Sequence, residues 1–88
     1  MTPKENIYQT EGAELRRICA LVGEAKTKSG LTYREFAALT GVSQDKQGPC
    51  VSGLAEYNFT ALTLLRVARV LGLTLSQFLS QPSNTKTK

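Results

Sequence analysis

Residues 31–43 read LTYREFAALTGVS, and the fold is decided there. Thr32-Tyr33-Arg34-Glu35 is a capping box: the Thr32 hydroxyl and the Glu35 carboxylate each satisfy a free amide at a helix start. Phe36, Ala37 and Leu39 follow, then Thr40, and Gly41 stops the helix after about two turns. Val42-Ser43 turns the chain, and Ser43 is suited to cap whatever follows. Ala37 is small where two helices would cross closely, Gly41 lets the chain reverse, and Val42 plugs the gap beneath the turn. Such a segment predicts a pair of short helices joined by a tight turn.

On the N-terminal side, Leu15, Ile18, Cys19, Val22 and Ala25 recur at three- and four-residue steps, which predicts an amphipathic helix over 11–29. Arg16, Arg17, Glu24 and Lys26 lie off that stripe. Gly30 ends the helix, and Lys26 and Lys28 suit the dipole of its last turn. Residues 1–10, MTPKENIYQT, are polar and Pro-interrupted and are expected to form a flexible arm.

On the C-terminal side, Gln44 to Gly48 contains no apolar residue, and Gly48-Pro49 breaks any helix begun at Ser43. Proline is at home in a first turn. The expectation is therefore a polar loop over 43–48 and a third helix from Pro49 to Tyr57. Its inward face would be Cys50 or Val51, with Leu54 and Tyr57, and Gly53 weakens it by about 1 kcal/mol relative to Ala. Asn58-Phe59 is a connector and Thr60 a cap. Residues 61–71, ALTLLRVARVL, are apolar nearly all round, which predicts a helix central to its domain. Gly72 ends it. Thr74-Leu75-Ser76-Gln77 repeats the capping-box pattern and opens a short fifth helix with Leu75, Phe78 and Leu79 apolar. Residues 81–88 read as a disordered tail. The fold class is all-α: a compact five-helix domain over 11–80 with no strand.

Composition bounds the chemistry. The chain has 88 residues, 41% apolar and 20% charged, the balance of a single small globular domain. It has no His, so an imidazole base and a His-ligated zinc are both excluded. Cys19 and Cys50 cannot make a four-thiolate site or a disulfide framework, and read as small buried hydrophobes with reduced thiols. No paired carboxylates stand in a pocket-forming pattern, and no Gly-rich loop could cradle a phosphate. An enzyme is not expected, nor a cofactor or a metal. No apolar run approaches the roughly 18 residues of a membrane span, and MTPKENIYQT lacks the apolar run of a signal peptide. A cytoplasmic location is expected.

The formal net charge is +4, a modest hint of a polyanionic partner. The excess lies C-terminally: residues 60–88 hold Arg66, Arg69, Lys86 and Lys88 with no acid. Residues 31–59 hold Arg34 and Lys46 against Glu35, Asp45 and Glu56, one acid in excess.

Residues 31–43, 51–54 (VSGL) and 61–79 (ALTLLRVARVLGLTLSQFL) together resemble the lambda-repressor/Cro-like family of bacterial and phage regulators, from about Leu15 to Leu79. In the family the third helix follows the turn directly, with an apolar residue about four positions past the serine. Here Val51-Ser52-Gly53-Leu54 fits that pattern but begins eight residues past Ser43. The resemblance implies a helix-turn-helix whose third helix enters the major groove of double-stranded DNA while the second crosses the phosphates. Tyr33 and Arg34 would then face the backbone. Gln44, Lys46, Gln47 and Ser52 are the candidate base readers, since Gln pairs bidentately with adenine and Lys with guanine, and Ser43 is a further candidate DNA contact. Asn58 would take a phosphate. The competing readings are a solvated polar loop at Gln44 to Gly48 and an Arg34 paired with a neighbouring carboxylate.

Family members act as symmetric dimers on palindromic operators, two recognition helices roughly 34 Å apart. The expected two-fold interface is the apolar C-terminal segment, Leu73, Leu75, Phe78 and Leu79; the rival reading has these residues close the monomer core. The function expected is that of a homodimeric repressor that occludes a promoter. The alternative is an antitoxin-type domain that binds a toxin partner and autoregulates its operon.

Overall fold

Three of the helix starts, at Thr32, Thr60 and Thr74, are closed by local side-chain caps. The computed structural model describes residues 3–53 and 55–82, with side chains from Gly12 onward. Leu54, expected on the inward face of the third helix, and the tail from Ser83 lie outside the described residues. The chain is all-helical: α1 (Pro3–Ser29), α2 (Tyr33–Thr40), α3 (Gln44–Ser52), α4 (Ala61–Val70) and α5 (Leu75–Leu79), with no strand among the described residues.

α1 begins at Pro3, ahead of the expected start near Glu11. Proline lacks only an amide that a first turn leaves unpaired, and its φ is already helical, so the segment read as an arm continues the helix. α1 buries Cys19, Ala20, Leu21, Val22 and Ala25. α2 carries its capping box as expected: Thr32 N donates to Glu35 Oε1 at 2.9 Å and Glu35 N to Thr32 Oγ1 at 3.1 Å. Gly41 ends it at φ 86°, donating its amide to Ala37 O, a conformation that an L side chain rarely adopts. Thr40, fully buried, donates its hydroxyl to Phe36 O at 2.7 Å and accepts from Val42 N at 3.1 Å.

The third helix departs from expectation at both ends. It starts at Gln44, directly after Ser43, so no polar loop occupies 43–48, and it stops at Ser52 rather than Tyr57. Pro49 sits inside it, where it removes one amide from the ladder. Packing compensates: Gln47 and Cys50, one turn apart, are both buried. Gly23 of α1 makes the crossing possible, because a Cβ there would lie 2.4 Å from Cys50 O. Of the alternatives for the inward face, Cys50 is buried and Val51 exposed.

The connector after α3 is tied to α1 by a thiol: Tyr57 N donates to Cys19 Sγ at 3.1 Å, and Cys19 Sγ donates to Tyr57 O at 3.4 Å. Thr60 caps α4 through Thr63 N. α4 is not buried all round. Leu64, Val67 and Ala68 enter the core, while Leu62 and Leu65 stay exposed. α5 has the second capping box, Thr74 with Gln77, and Arg17 of α1 donates from its guanidinium to Leu79 O and Gln81 O. Phe78 is fully buried, and Leu73, Leu75 and Leu79 pack against the same core. Phe78 is therefore enclosed by the monomer core and cannot form the expected two-fold interface, whereas Leu73, Leu75 and Leu79 are only half-buried.

Candidate nucleic-acid interface

α2, the turn at Gly41-Val42-Ser43 and α3 set two helix N-termini near one another. Gln47 is the bolt between them. Its Nε2 donates to Tyr33 O at 2.9 Å, at the start of α2, and to Val42 O at 3.0 Å, in the turn. With both donors so placed and 1% exposure, Gln47 cannot reach a base edge, which corrects its expected role. It stands four positions past Ser43, where the resemblance expects an apolar residue; that position number was the signal that it faces inward.

Three polar side chains at the start of α3 remain outside: Gln44, Asp45 and Lys46 are all exposed, as is Ser43 before them. The Ser43 hydroxyl makes no cap bond, leaving it and the first amides of α3 available to an acceptor. Lys46 Nζ lies 5.3 Å from the Tyr57 ring centroid, a cation–π contact that holds the ammonium at the helix edge. Ser52 sits at the far end of α3, about 12 Å from Gln44 along the axis at 1.5 Å per residue. Its hydroxyl donates back to Pro49 O at 2.9 Å, so it is not brought together with the other candidates. Asn58 is exposed in the connector.

At the start of α2, Tyr33 is 47% exposed. Arg34 is exposed and has no ion-pair partner among the described residues, which removes the reading that paired it with a carboxylate. Sequence reasoning missed Lys26. Its Nζ stands 4.5 Å over the Tyr33 ring, so the end of α1 adds an ammonium beside the phenol. Lys26 and Tyr33 thus bring an ammonium and a phenol together beside the start of α2, where Arg34 is also exposed, groups suited to phosphate oxygens.

The thiols take no part in this surface. Cys19 and Cys50 are free and buried; burial pushes both thiols up, Cys50 to about 12, with the neighbouring Cys19 adding to the rise. They are held as neutral, inert thiols. No group of three His, Cys, Asp or Glu stands close enough to hold a metal among the described residues. No helix searched is long and apolar enough to cross a membrane. Comparison with protein-family models, with curated proteins and with solved structures gives no match.

Proposed function

We propose that the chain is a sequence-specific DNA-binding regulator of the helix-turn-helix, lambda-repressor/Cro-like kind, a repressor that works as a homodimer on a palindromic operator. The observation that carries this reading is the start of α3 at Gln44, directly after the turn, with Gln44, Asp45 and Lys46 exposed in sequence. Gln44 reads adenine and Lys46 guanine in the major groove, and Asp45 accepts from cytosine. Tyr33, Arg34 and Lys26 hold the phosphates that set the register.

One such surface is small and weakly charged. Two copies on a palindrome double the contacts and steepen the salt dependence. Because Phe78, the largest apolar side chain of the C-terminal helix, is enclosed in the monomer core, pairing is expected on the operator, with the recognition helices roughly 34 Å apart.

The test is binding to the DNA upstream of the chain's own gene, against random duplex, across a salt series. Specific binding is expected to exceed random binding at every salt concentration. Lys46→Ala should cost about 1–3 kcal/mol on the operator only, whereas Arg34→Ala should weaken both duplexes and lower the salt slope by about 1. Equal binding to both duplexes throughout would defeat the proposal.

A further inference from the structure

α4 carries two stripes at helical spacing. Leu64, Val67 and Ala68 form the buried one. Leu62, Leu65, Arg66 and Arg69 recur at the same i, i+3, i+4, i+7 intervals on the outer side, with Leu62 54% and Leu65 44% exposed. Leu39 of α2, 57% exposed, stands beside them. Leu39, Arg66, Arg69 and Val70 line one shallow hollow, and Leu62, Leu65, Arg66 and Arg69 line a second. The two arginines belong to both, so the hollows form one apolar surface divided by guanidinium groups. Monomeric proteins rarely gather exposed leucines in this way without a partner.

We propose that this α2–α4 face is a docking surface for an acidic amphipathic helix of another protein. Charge selects the occupant. Neither Arg66 nor Arg69 has an ion-pair partner among the described residues, and residues 60–88 contain no Asp or Glu. A second copy docked by a two-fold axis would set arginines against arginines, a like-charge contact that opposes pairing. The chain's own C-terminal SNTKTK brings two more lysines and no acid. Duplex DNA would match the guanidinium groups but leave Leu39, Leu62 and Leu65 without apolar cover. A helix with a leucine ridge flanked by carboxylates satisfies both halves of the surface, the ridge in the hollows and the acids on Arg66 and Arg69. The inference does not rest on DNA binding, since none of these residues belongs to the interface described above.

The probe is a fluorescein-labelled helical peptide with leucines along one face and glutamates beside them. Its counterpart has lysines for the glutamates. Both are titrated with the full chain and followed by anisotropy. The glutamate peptide should bind and the lysine peptide should not. The double change Arg66→Glu, Arg69→Glu should weaken the glutamate peptide by about tenfold or more and admit the lysine peptide. Leu62→Ser with Leu65→Ser should abolish binding with the thermal midpoint held, because both side chains are exposed. Failure of the glutamate peptide to bind, or indifference of the two peptides to the arginine changes, overturns the proposal. So does a solution dimer that Leu62→Ser with Leu65→Ser dissociates, which would make a second copy the occupant. A loss of duplex-DNA affinity in Arg66→Gln with Arg69→Gln as large as the loss of peptide affinity would instead assign the face to phosphate, and also overturns it.

Discussion

A glutamine at 1% exposure has to satisfy its amide inside the protein. Gln47 does so with Nε2, on Tyr33 O and Val42 O, while its Oε1 has no hydrogen-bond partner among the described residues. Gln47→Ala removes both bonds and leaves a void at the meeting of α2, the turn and α3. A loss of about 2–3 kcal/mol in urea unfolding is expected, while Gln47→Leu, which refills the volume and deletes the orphaned oxygen, should lose clearly less. Operator affinity per folded molecule should hold in the leucine variant; a fall to the level of Lys46→Ala would return Gln47 to the reading surface. Cys50 gives a second check by titration. Its thiol is raised from 9.0 to about 12 by burial and by Cys19. Between those pH values the unfolded chain has released a proton that the native chain keeps, so stability falls as pH rises, by about 1.4 kcal/mol per unit. Below about pH 8 the thiol contributes no slope. Urea midpoints at about pH 7.5 and about pH 10, on either side of the ordinary thiol value, should therefore separate more in the wild-type chain than in Cys50→Ala; equal separations would mean that Cys50 ionises freely.

At the scale of elements, the α1–α3 crossing decides where the proposed recognition helix lies. Gly23→Ala opposes two effects. Alanine improves a helix interior by about 1 kcal/mol over glycine, but the new Cβ would meet Cys50 O at 2.4 Å and Val51 Cα at 2.7 Å. These are backbone atoms and cannot swing aside, so overpacking of about 1–3 kcal/mol should win. The expected net change is a lower thermal midpoint, with weakened operator binding as α3 shifts; a raised midpoint would show that the helices separate freely. The same crossing explains what the sequence hid. The capping boxes at Thr32 and Thr74 were legible because each is closed by residues three apart. α3 was not, since Gly48-Pro49 is a local breaker and its remedy is distant in the chain. That remedy is the burial of Gln47 and Cys50 against α1 and α2. Apolar composition likewise marked α4 as core without telling which of its two stripes would be covered. The edge at Tyr33 was readable from the capped start of α2, but Lys26 joined it only through the tertiary approach of α1.

For the whole molecule the question is what a small core can spare. Phe78 lies wholly inside it, at 0% exposure, from a helix of only five residues. That helix is held by the Thr74–Gln77 box and by Arg17 reaching from α1 to Leu79 O. Phe78 is the one fully buried side chain of α5, with Leu75 and Leu79 only partly buried beside it, so removing Phe78 loosens the element as well as the contact. Phenylalanine deletions in a core cost about 3–5 kcal/mol. A domain of this size holds only about 4–12 kcal/mol in total. Phe78→Ser should therefore lower the thermal midpoint by roughly 15–30 °C, at about 4–8 °C per kcal/mol, and lose cooperative melting by circular dichroism near physiological temperature. A residue of a dimer interface would behave otherwise, giving a folded monomer with little change in midpoint. Sedimentation and melting of Phe78→Ser, run beside Leu62→Ser, separate the two cases. Phe78→Ser should sediment as an expanded chain, and Leu62→Ser as the wild-type species with an unchanged midpoint. A compact, cooperatively melting Phe78→Ser monomer beside a wild-type dimer would mean that α5 pairs two copies instead of closing one.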